Sequence, residues 1–193
     1  MINVAVFASG NGSNAVNLYN YFQKHPSIAI DKIYCNNPLA GIVDKSKELG
    51  IECIQFNKQE WNSGKITSLL KENKTDFIVL AGFLWLVPLD IIQAFPDRII
   101  NIHPALLPNY GGKGMYGMKV HESIIADKQK ESGITIHLVN EEYDKGKSLF
   151  QQKVKITKNE TAQSLASKIH DLEYAFFPGV VEKYITEYNE KVR

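Results

Sequence analysis

Cysteine is scarce in this sequence, which limits the kinds of site that it can hold. Cys35 and Cys53 are its only two cysteines, and neither belongs to a CxxC motif or to a cysteine–histidine cluster. This spacing argues against a disulfide scaffold and against a cysteine-bound zinc. We expect two buried thiols rather than a disulfide. Histidine pairs at ligand spacing from carboxylates are also missing, so the sequence predicts no metal site.

Long hydrophobic runs and an excess of one charge are missing as well. The longest apolar stretch, Phe77 to Val87, is too short to span a bilayer, which takes about 20 residues. The formal net charge is +1 and no block of lysine and arginine occurs, so electrostatics give no support for a nucleic-acid partner. The sequence opens on a strand-like segment without an export signal. We expect a cytoplasmic protein, a monomer or a homodimer, that binds small molecules and no membrane.

Apolar segments of strand length alternate with helix-like segments in the first half of the sequence. Near-continuous apolar strands with helices between them are typical of a parallel sheet that helices cover on both faces. The predicted strands are Ile2–Phe7, Ile28–Cys35, Ile51–Phe56, Phe77–Leu80 and Ile99–Ile102, and the predicted helices are Ala15–Phe22, Ile42–Leu49 and Lys65–Glu72. The fold class that follows is α/β, with a mostly parallel, doubly wound (Rossmann-like) sheet.

The pattern changes in the second half. A glycine-rich loop leads into a predicted helix, Met118–Ala126, and two adjacent strand-like runs follow, Ile134–Val139 and Leu149–Ile156. These two runs suit antiparallel or mixed additions to the sheet. A long amphipathic helix begins near Thr161, with Asn159 or Thr161 as its N-cap.

Ligands of open parallel sheets bind beyond the carboxyl ends of the strands. This rule selects four loops, which are Ala8–Asn14, Cys35–Pro38, Gly82–Pro88 and Asn101–Pro108. Polar residues that suit chemistry lie in the first and the last of these loops.

The first loop, GNGSNA at residues 10–15, formally fits the G-x-G-x-x-G/A pattern of dinucleotide enzymes. That pattern needs an acidic residue at the end of the second strand for a ribose hydroxyl, and Asn36 and Asn37 stand there instead. A dinucleotide site is therefore disfavoured. The backbone amides of Gly12 to Asn14 still lie at a helix N-terminus, which attracts a phosphate by itself. A plain strand-to-helix turn is the alternative.

The last loop follows a strand that carries an amide and an imidazole. By strand alternation, Asn101 and His103 share one side of this strand at its carboxyl end. Pro104 and Pro108 stiffen the segment that follows. Such a pair suits a reaction in which an oxyanion needs hydrogen bonds and a proton has to move. The alternative is a polar strand end that caps neighbouring backbone.

Asp144 and three further histidines have simple structural interpretations. Asp144 lies between two predicted strands, as an ordinary acidic turn residue does. His137 alternates away from the apolar residues of its strand, and we expect it to pack beside a helix. We expect His25 and His121 at the surface or in support of other polar groups.

Taken together, these pieces resemble one family, the folate-dependent glycinamide ribonucleotide formyltransferases. The matching motifs occur in the family's order over nearly the whole chain: Ser9-Gly10-Asn11-Gly12-Ser13-Asn14, Leu80-Ala81-Gly82-Phe83, Asn101-Ile102-His103-Pro104 with Leu106-Leu107-Pro108, the Asp144 loop, and Glu173 before Pro178. The resemblance implies a single formyltransferase domain over residues 1–193, with a phosphate-binding half (1–100) and a catalytic and folate-binding half (101–193).

The implied reaction transfers a formyl group from 10-formyltetrahydrofolate to the amine of 5-phosphoribosylglycinamide, in purine biosynthesis and without a tightly bound cofactor. The residues implied to bind the ribonucleotide are Gly12, Ser13 and Asn14 at the phosphate, Glu173 at the ribose hydroxyls, and His170 as a further contact. The implied folate contacts are Leu84, Trp85, Leu86, Val87, Asn140, Glu141, Glu142 and Tyr143. Asn101, His103 and Asp144 match the family's catalytic trio, and we expect Asp144 to keep the His103 imidazole charged.

Three features depart from the family's pattern. Trp85 stands where the family often has a basic residue, within the stretch that contacts the folate. The loop Asn109–Tyr116 is longer than the common version, and its glycines predict a mobile lid over Gly111–Gly117. Lys145-Gly146-Lys147 replaces the usual Gly-Pro after Asp144.

Three other functions fit these motifs less well. Formyltetrahydrofolate hydrolases carry an additional N-terminal domain and methionyl-tRNA formyltransferases an additional C-terminal one, and 193 residues suit neither. A nonenzymatic nucleotide-binding module of the same fold has no need of the Asn101 and His103 pair.

Overall fold

Strands and helices alternate along the chain in the computed structural model, which describes residues 1–192. The strands are β1 (Ile2–Ala8), β2 (Ile28–Cys35), β3 (Cys53–Gln55), β4 (Phe77–Leu80), β5 (Ile99–His103), β6 (Glu131–Leu138) and β7 (Ser148–Lys155). The helices are α1 (Ser13–Phe22), α2 (Gly41–Leu49), α3 (Lys58–Asn62), α4 (Lys65–Glu72), α5 (Leu89–Ala94), α6 (Met118–Ala126) and α7 (Ala162–Val192).

The strands form a mixed sheet in the order β3-β2-β1-β4-β5-β6-β7. β1 pairs in parallel with β2 and with β4, β2 pairs in parallel with β3, and β4 pairs in parallel with β5. β6 and β7 pair in antiparallel fashion. The prediction of a mostly parallel sheet with antiparallel additions in the C-terminal part is therefore confirmed. β4 is buried at every position, as a strand covered on both faces must be.

Two compact units divide the described chain, one covering Met1–Asn101 and the other beginning at Ile102. The core of the first unit surrounds Phe7 on β1. The Phe7 ring stacks on Tyr34 of β2 with 4.7 Å between centroids, and Phe83 and Trp61 pack against it at 5.4 and 5.6 Å. Aromatic pairs at such distances stabilise a core beyond their buried area. This aromatic cluster supports the loops that follow β1 and β4.

In the second unit, helix α7 has buried apolar residues that repeat every four positions. Leu165, Ile169, Phe177, Val181 and Ile185 are all buried, and they form one ridge of the helix. Glu173 lies midway between Ile169 and Phe177 in the sequence, so it belongs to the same ridge. The side of α7 that packs apolar residues into the core therefore also includes the Glu173 carboxylate.

Several boundaries differ from the predicted ones. α1 begins two residues earlier than expected, so Ser13 and Asn14 are helical. β3 is only three residues long, and the short helices α3 and α5 were not predicted. The side chain of Thr161 accepts a hydrogen bond from the Ser164 amide at 3.1 Å, so Thr161, not Asn159, caps α7.

Both cysteines are free thiols, as expected, although Cys53 is only half-buried whereas Cys35 is buried. Within residues 1–192, no helix is both long and apolar enough to cross a membrane.

Candidate active site

The loop between β1 and α1 is shaped by a glycine that no other residue can replace without strain. Gly12 precedes α1 with φ of +73°, in the left-handed region that favours glycine. A Cβ atom at this position would lie 2.5 Å from Cδ1 of Ile42. The turn therefore needs glycine both for its backbone conformation and for the close approach of α2.

Ser13 and Asn14 form the start of α1, so their backbone amides belong to the helix end that carries a partial positive charge. Lys45 of α2 adds a full charge beside the same loop. Its Nζ donates to the backbone carbonyl of Asn11 at 2.9 Å and to the Asn11 side chain at 2.7 Å. Sequence reasoning missed Lys45, because it comes from the next helix and belongs to no local motif. Helix amides and an ammonium group together make this turn a suitable site for an anion.

The second unit holds a buried imidazole at the end of β5. His103 is 4% exposed. Its Nε2 lies 2.7 Å from the backbone carbonyl of Tyr110, and its Nδ1 lies 3.6 Å from Oδ2 of Asp144. A carbonyl oxygen only accepts hydrogen bonds, so this contact assigns a proton to Nε2.

Asp144 is more than the acidic turn residue that its sequence context suggests. It adopts φ of +57°, and its side chain is 11% exposed. Its Oδ2 accepts a hydrogen bond from the Gly112 amide at 2.8 Å. A Cβ atom on Gly111 would lie 3.1 Å from Cβ of Asp144 and would also collide with Leu107. The glycines of this loop thus let its backbone close directly onto the carboxylate.

His137 lies beside Asp144, a partner that the sequence did not predict. His137 Nε2 is 3.6 Å from Asp144 Oδ1, and the ring is almost completely buried. Its Nδ1 lies 2.8 Å from the backbone carbonyl of Leu138. Strand alternation correctly turned His137 away from the apolar side of β6, but alternation alone does not say which group it meets there. The Asp144 carboxylate therefore stands between two imidazoles.

The protonation states of this cluster differ from those expected. Burial lowers the pKa of His103, because a buried imidazolium loses hydration. The charge of Asp144 and the Tyr110 carbonyl raise this pKa, but it stays below the usual value of ~6.5. The expectation that Asp144 keeps His103 charged is therefore wrong, and the resting ring is neutral at neutral pH.

The carboxyl group of Asp144 is ionised. Burial raises its pKa, but the neighbouring imidazoles of His137 and His103 and the Gly112 amide outweigh this effect and hold the pKa below its usual value. The cluster thus contains a buried anion beside an imidazole that can take up a proton.

Glu173 lies beside His170 in the second unit, and its charge also acts on His121. Its side chain is 14% exposed, and its Oε2 lies 3.6 Å from Nδ1 of His170. The neighbouring carboxylate of Glu173 raises the pKa of His170. His121 of α6 is buried, so a surface position for it is wrong, and burial lowers its pKa although the charge of Glu173 raises it. Glu173 and His170, which the resemblance assigns to the ribonucleotide, are thus brought together, and the charge of Glu173 also acts on His103.

The remaining candidates lie on the strand β5 and on two loops. Asn101 is half-buried and pairs with Leu80 across β4 and β5. In the stretch 84–87, Leu84 and Leu86 are exposed, Trp85 is half-buried and Val87 is buried. In the loop 140–143, the side chain of Asn140 accepts from the Glu142 amide at 3.1 Å. Among the described residues 1–192, no group of three or more histidine, cysteine or acidic side chains could hold a metal ion.

Comparisons with known proteins identify the family of this chain. Residues 2–181 match the family model for formyl transferase. The chain is 39% identical over 186 residues to a phosphoribosylglycinamide formyltransferase, chloroplastic, of Arabidopsis thaliana, covering 92% of this chain and 63% of that protein. It is 29% identical over 189 residues to a phosphoribosylglycinamide formyltransferase of Bacillus subtilis, covering 94% of this chain and 93% of the relative.

A solved structure gives the same result for the fold. The crystal structure of phosphoribosylglycinamide formyltransferase from Bacillus halodurans superposes with a TM-score of 0.86 at 31% identity, covering 96% of each chain. The chain spans less than two thirds of the plant relatives, 63% of one and 61% of the other. The match nevertheless covers almost all of this chain, and the chain belongs to the formyl transferase family, as its resemblance to glycinamide ribonucleotide formyltransferases predicted.

Proposed function

We propose that the protein transfers a formyl group from 10-formyltetrahydrofolate to the amine of 5-phosphoribosylglycinamide, in purine biosynthesis. The observation that carries the proposal is the buried cluster of Asp144 and two histidines, in which His103 Nδ1 lies 3.6 Å from the carboxylate. A protein that only binds nucleotides needs no buried proton acceptor. The names of the Bacillus subtilis and Bacillus halodurans relatives support the same activity.

The attack of the amine on the formyl carbon creates a tetrahedral oxyanion and a positively charged nitrogen. Asn101 donates a hydrogen bond to this oxyanion in our proposal, because its amide lies two residues before His103 on the same side of β5. Since Nε2 of His103 already carries a proton, the ring accepts the proton of the amine at Nδ1.

Proton uptake at Nδ1 turns His103 into an imidazolium next to the ionised Asp144. An opposite charge within a few ångströms favours this charged form. Asp144 therefore stabilises the His103 imidazolium that forms during the reaction, whereas the resting ring is neutral. The new carbon–nitrogen bond is then complete, the bond to the folate nitrogen breaks, and that nitrogen receives the proton. His137 keeps Asp144 ionised through its contact with Oδ1.

The ribonucleotide is expected to bind through both of its polar ends. Gly12, Ser13 and Asn14 bind its phosphate, and Lys45 adds a positive charge beside that loop. Glu173, with His170, binds the ribose hydroxyls. The folate lies along Leu84, Trp85, Leu86 and Val87 and along Asn140, Glu141, Glu142 and Tyr143, and it acts as a cosubstrate.

A cytoplasmic location and a monomeric or homodimeric state remain predictions, and the two plant relatives carry the word chloroplastic in their names.

An assay with both substrates tests the proposed reaction. Folate absorbance is expected to change only when 5-phosphoribosylglycinamide is present, with one formylated product formed per donor consumed. Steady release of formate from 10-formyltetrahydrofolate alone would instead show a hydrolase. A chain that binds the ribonucleotide but leaves the donor intact would be a binding module, and the proposed activity would be wrong.

Inorganic phosphate is expected to compete with the ribonucleotide and not with the folate. The physical reason is that the amides at the start of α1 and the Lys45 ammonium recognise phosphate oxygens and nothing else of the substrate. Initial rates at several phosphate concentrations, with each substrate varied in turn, measure this. Competition with the folate alone would mean that the loop after β1 has been assigned to the wrong ligand.

A further inference from the structure

Tyr110 makes contacts in two directions, one with the His103 imidazole and one with the end of helix α6. Its backbone carbonyl lies 2.7 Å from Nε2 of His103. Its hydroxyl donates a hydrogen bond to Oδ2 of Asp127 at 2.7 Å. Burial and the bond to Asp127 raise the pKa of Tyr110, so the hydroxyl keeps its proton and remains a donor. Tyr110 thus connects His103 to a second element of the same unit.

The backbone of Tyr110 has a conformation that is unfavourable for its residue type. Its φ is +56°, in the left-handed region where a bulky side chain is rare. Such strain persists only where the surrounding contacts hold a residue in place. In this conformation the carbonyl meets His103 while the hydroxyl reaches Asp127. Two residues later, the Gly112 amide donates to Asp144 at 2.8 Å, so one short segment contacts both His103 and Asp144.

Asp127 is a firm anchor at a position where a helix gains nothing from a carboxylate. It directly follows the last residue of α6, where the partial negative charge of a helix disfavours an acidic side chain. Within the described part of the chain, its carboxylate forms no ion pair. Its amide donates to the Ser123 carbonyl at 3.0 Å, and the buried side chains of Val120 and Ile124 fix α6 in the core. Helix stability therefore does not explain Asp127, whereas the bond to Tyr110 does.

Two acceptors compete for the single ring proton of neutral His103. Asp144 lies 3.6 Å from Nδ1, too far for a hydrogen bond, but its charge favours a proton on that nitrogen. The Tyr110 carbonyl lies at hydrogen-bond distance from Nε2 and favours the proton there. If this carbonyl moved away, the carboxylate would draw the proton to Nδ1. A proton on Nδ1 blocks the atom that takes up the proton of the amine in the proposed reaction.

We propose that Tyr110, anchored by Asp127, is a positioning residue that keeps the ring proton of His103 on Nε2 and so leaves Nδ1 open to the proton of the amine. This inference rests on the proposed function. Tyr110 exchanges no proton itself. Its carbonyl accepts the same hydrogen bond from the neutral ring and from the imidazolium, since Nε2 carries a proton in both, so the contact persists through the reaction.

The first test removes only the hydroxyl. Tyr110→Phe keeps the ring of the side chain, but it can no longer donate to Asp127. Nitrogen NMR of the His103 imidazole, at a pH where the ring is neutral, is expected to show the proton on Nε2 in the wild type and a larger share on Nδ1 in the variant. We expect kcat to fall about two- to ten-fold, as for the loss of one hydrogen bond, with little change in KM for either substrate.

The second test shows whether Tyr110 and Asp127 act as one unit. Asp127→Ala removes the acceptor, and it is expected to lower kcat and to move the ring proton toward Nδ1 as much as Tyr110→Phe does. The double variant is expected to be no slower than either single variant, because each change breaks the same bond. Losses that multiply in the double variant would mean that Tyr110 is not anchored through Asp127.

Tyr19→Phe is the matched control. It also removes a hydroxyl that donates a hydrogen bond, to the Leu49 carbonyl at 3.2 Å, and it is expected to leave kcat and the His103 tautomer unchanged. A Tyr110→Phe variant that lowers kcat without moving the ring proton, moves the proton without lowering kcat, or changes neither would overturn the proposal. If the wild type forms no product, the proposed function is wrong, and the nitrogen spectra alone still decide whether Tyr110 places the proton.

Discussion

Replacing His103 with alanine is expected to lower kcat by about 10²–10⁴ at every pH, the usual contribution of a positioned acid or base. Among residues 1–192, the two groups beside the ring are poor substitutes for it, because the lowered pKa of Asp144 makes its carboxylate a weak base and His137 is held by the Leu138 carbonyl and by Asp144. KM for the two substrates is expected to change little, because the His103 ring acts on the reacting atoms and not on the groups by which the substrates bind.

The measurement is kcat against pH for the wild type and His103→Ala. In the wild type, the neutral ring is the active form, so kcat falls as the pH drops through the pKa of His103, below ~6.5. The variant is expected to lose this acidic limb. His25→Gln is the matched control, since His25 lies at a turn and accepts backbone hydrogen bonds from Ser27 and Ile28. A His103→Ala variant with near-normal kcat would remove His103 from the mechanism.

Replacing Asp144 with asparagine is expected to cost a similar factor, about 10²–10⁴ in kcat, as loss of the charge behind a catalytic histidine does elsewhere. The variant keeps the size of the side chain, but it can no longer stabilise the imidazolium that forms during the reaction. Since the charge of Asp144 raises the pKa of His103, this pKa is expected to fall further in the variant. The acidic limb of kcat therefore moves to lower pH, and lowering the pH recovers no activity.

The control for Asp144→Asn is Glu131→Gln, which removes one exposed negative charge paired with Lys153 in the same unit. Thermal melting of both variants shows whether the fold is intact. Wild-type rate and pH profile in a folded Asp144→Asn variant would mean that Asp144 is only a turn residue.

Hydrophobic periodicity predicted much of the fold, because burial imposes it directly on the residues. The fourth-residue spacing of Leu165, Ile169 and Phe177 indicates a buried helix ridge, and the same spacing places Glu173 on that ridge. The parallel order of the strands followed from the alternation of strands and helices. The short helix α3 was missed although its capping residues, Asn57 and Glu60, are visible in the sequence, because five residues carry too little periodicity.

The chemistry of the site could be predicted only in part, because pKa values and partners depend on tertiary contacts. Strand alternation gave the side of β6 on which His137 lies, but not the Asp144 carboxylate that it meets. Lys45 reaches the loop after β1 from α2, a contact that no local motif records. Whether the pKa of His103 is raised or lowered depends on how deeply the ring is buried, and the sequence alone does not show that depth.

An NMR titration of the imidazole shows directly whether His103 is neutral at rest and gains its charge during the reaction. The ring signal of His103, assigned by its absence in His103→Ala, is followed in the unliganded wild type and in Asp144→Asn. We expect a midpoint below ~6.5 in the wild type and a lower one in Asp144→Asn. A wild-type midpoint above this value, or one that Asp144→Asn leaves in place, would contradict this expectation.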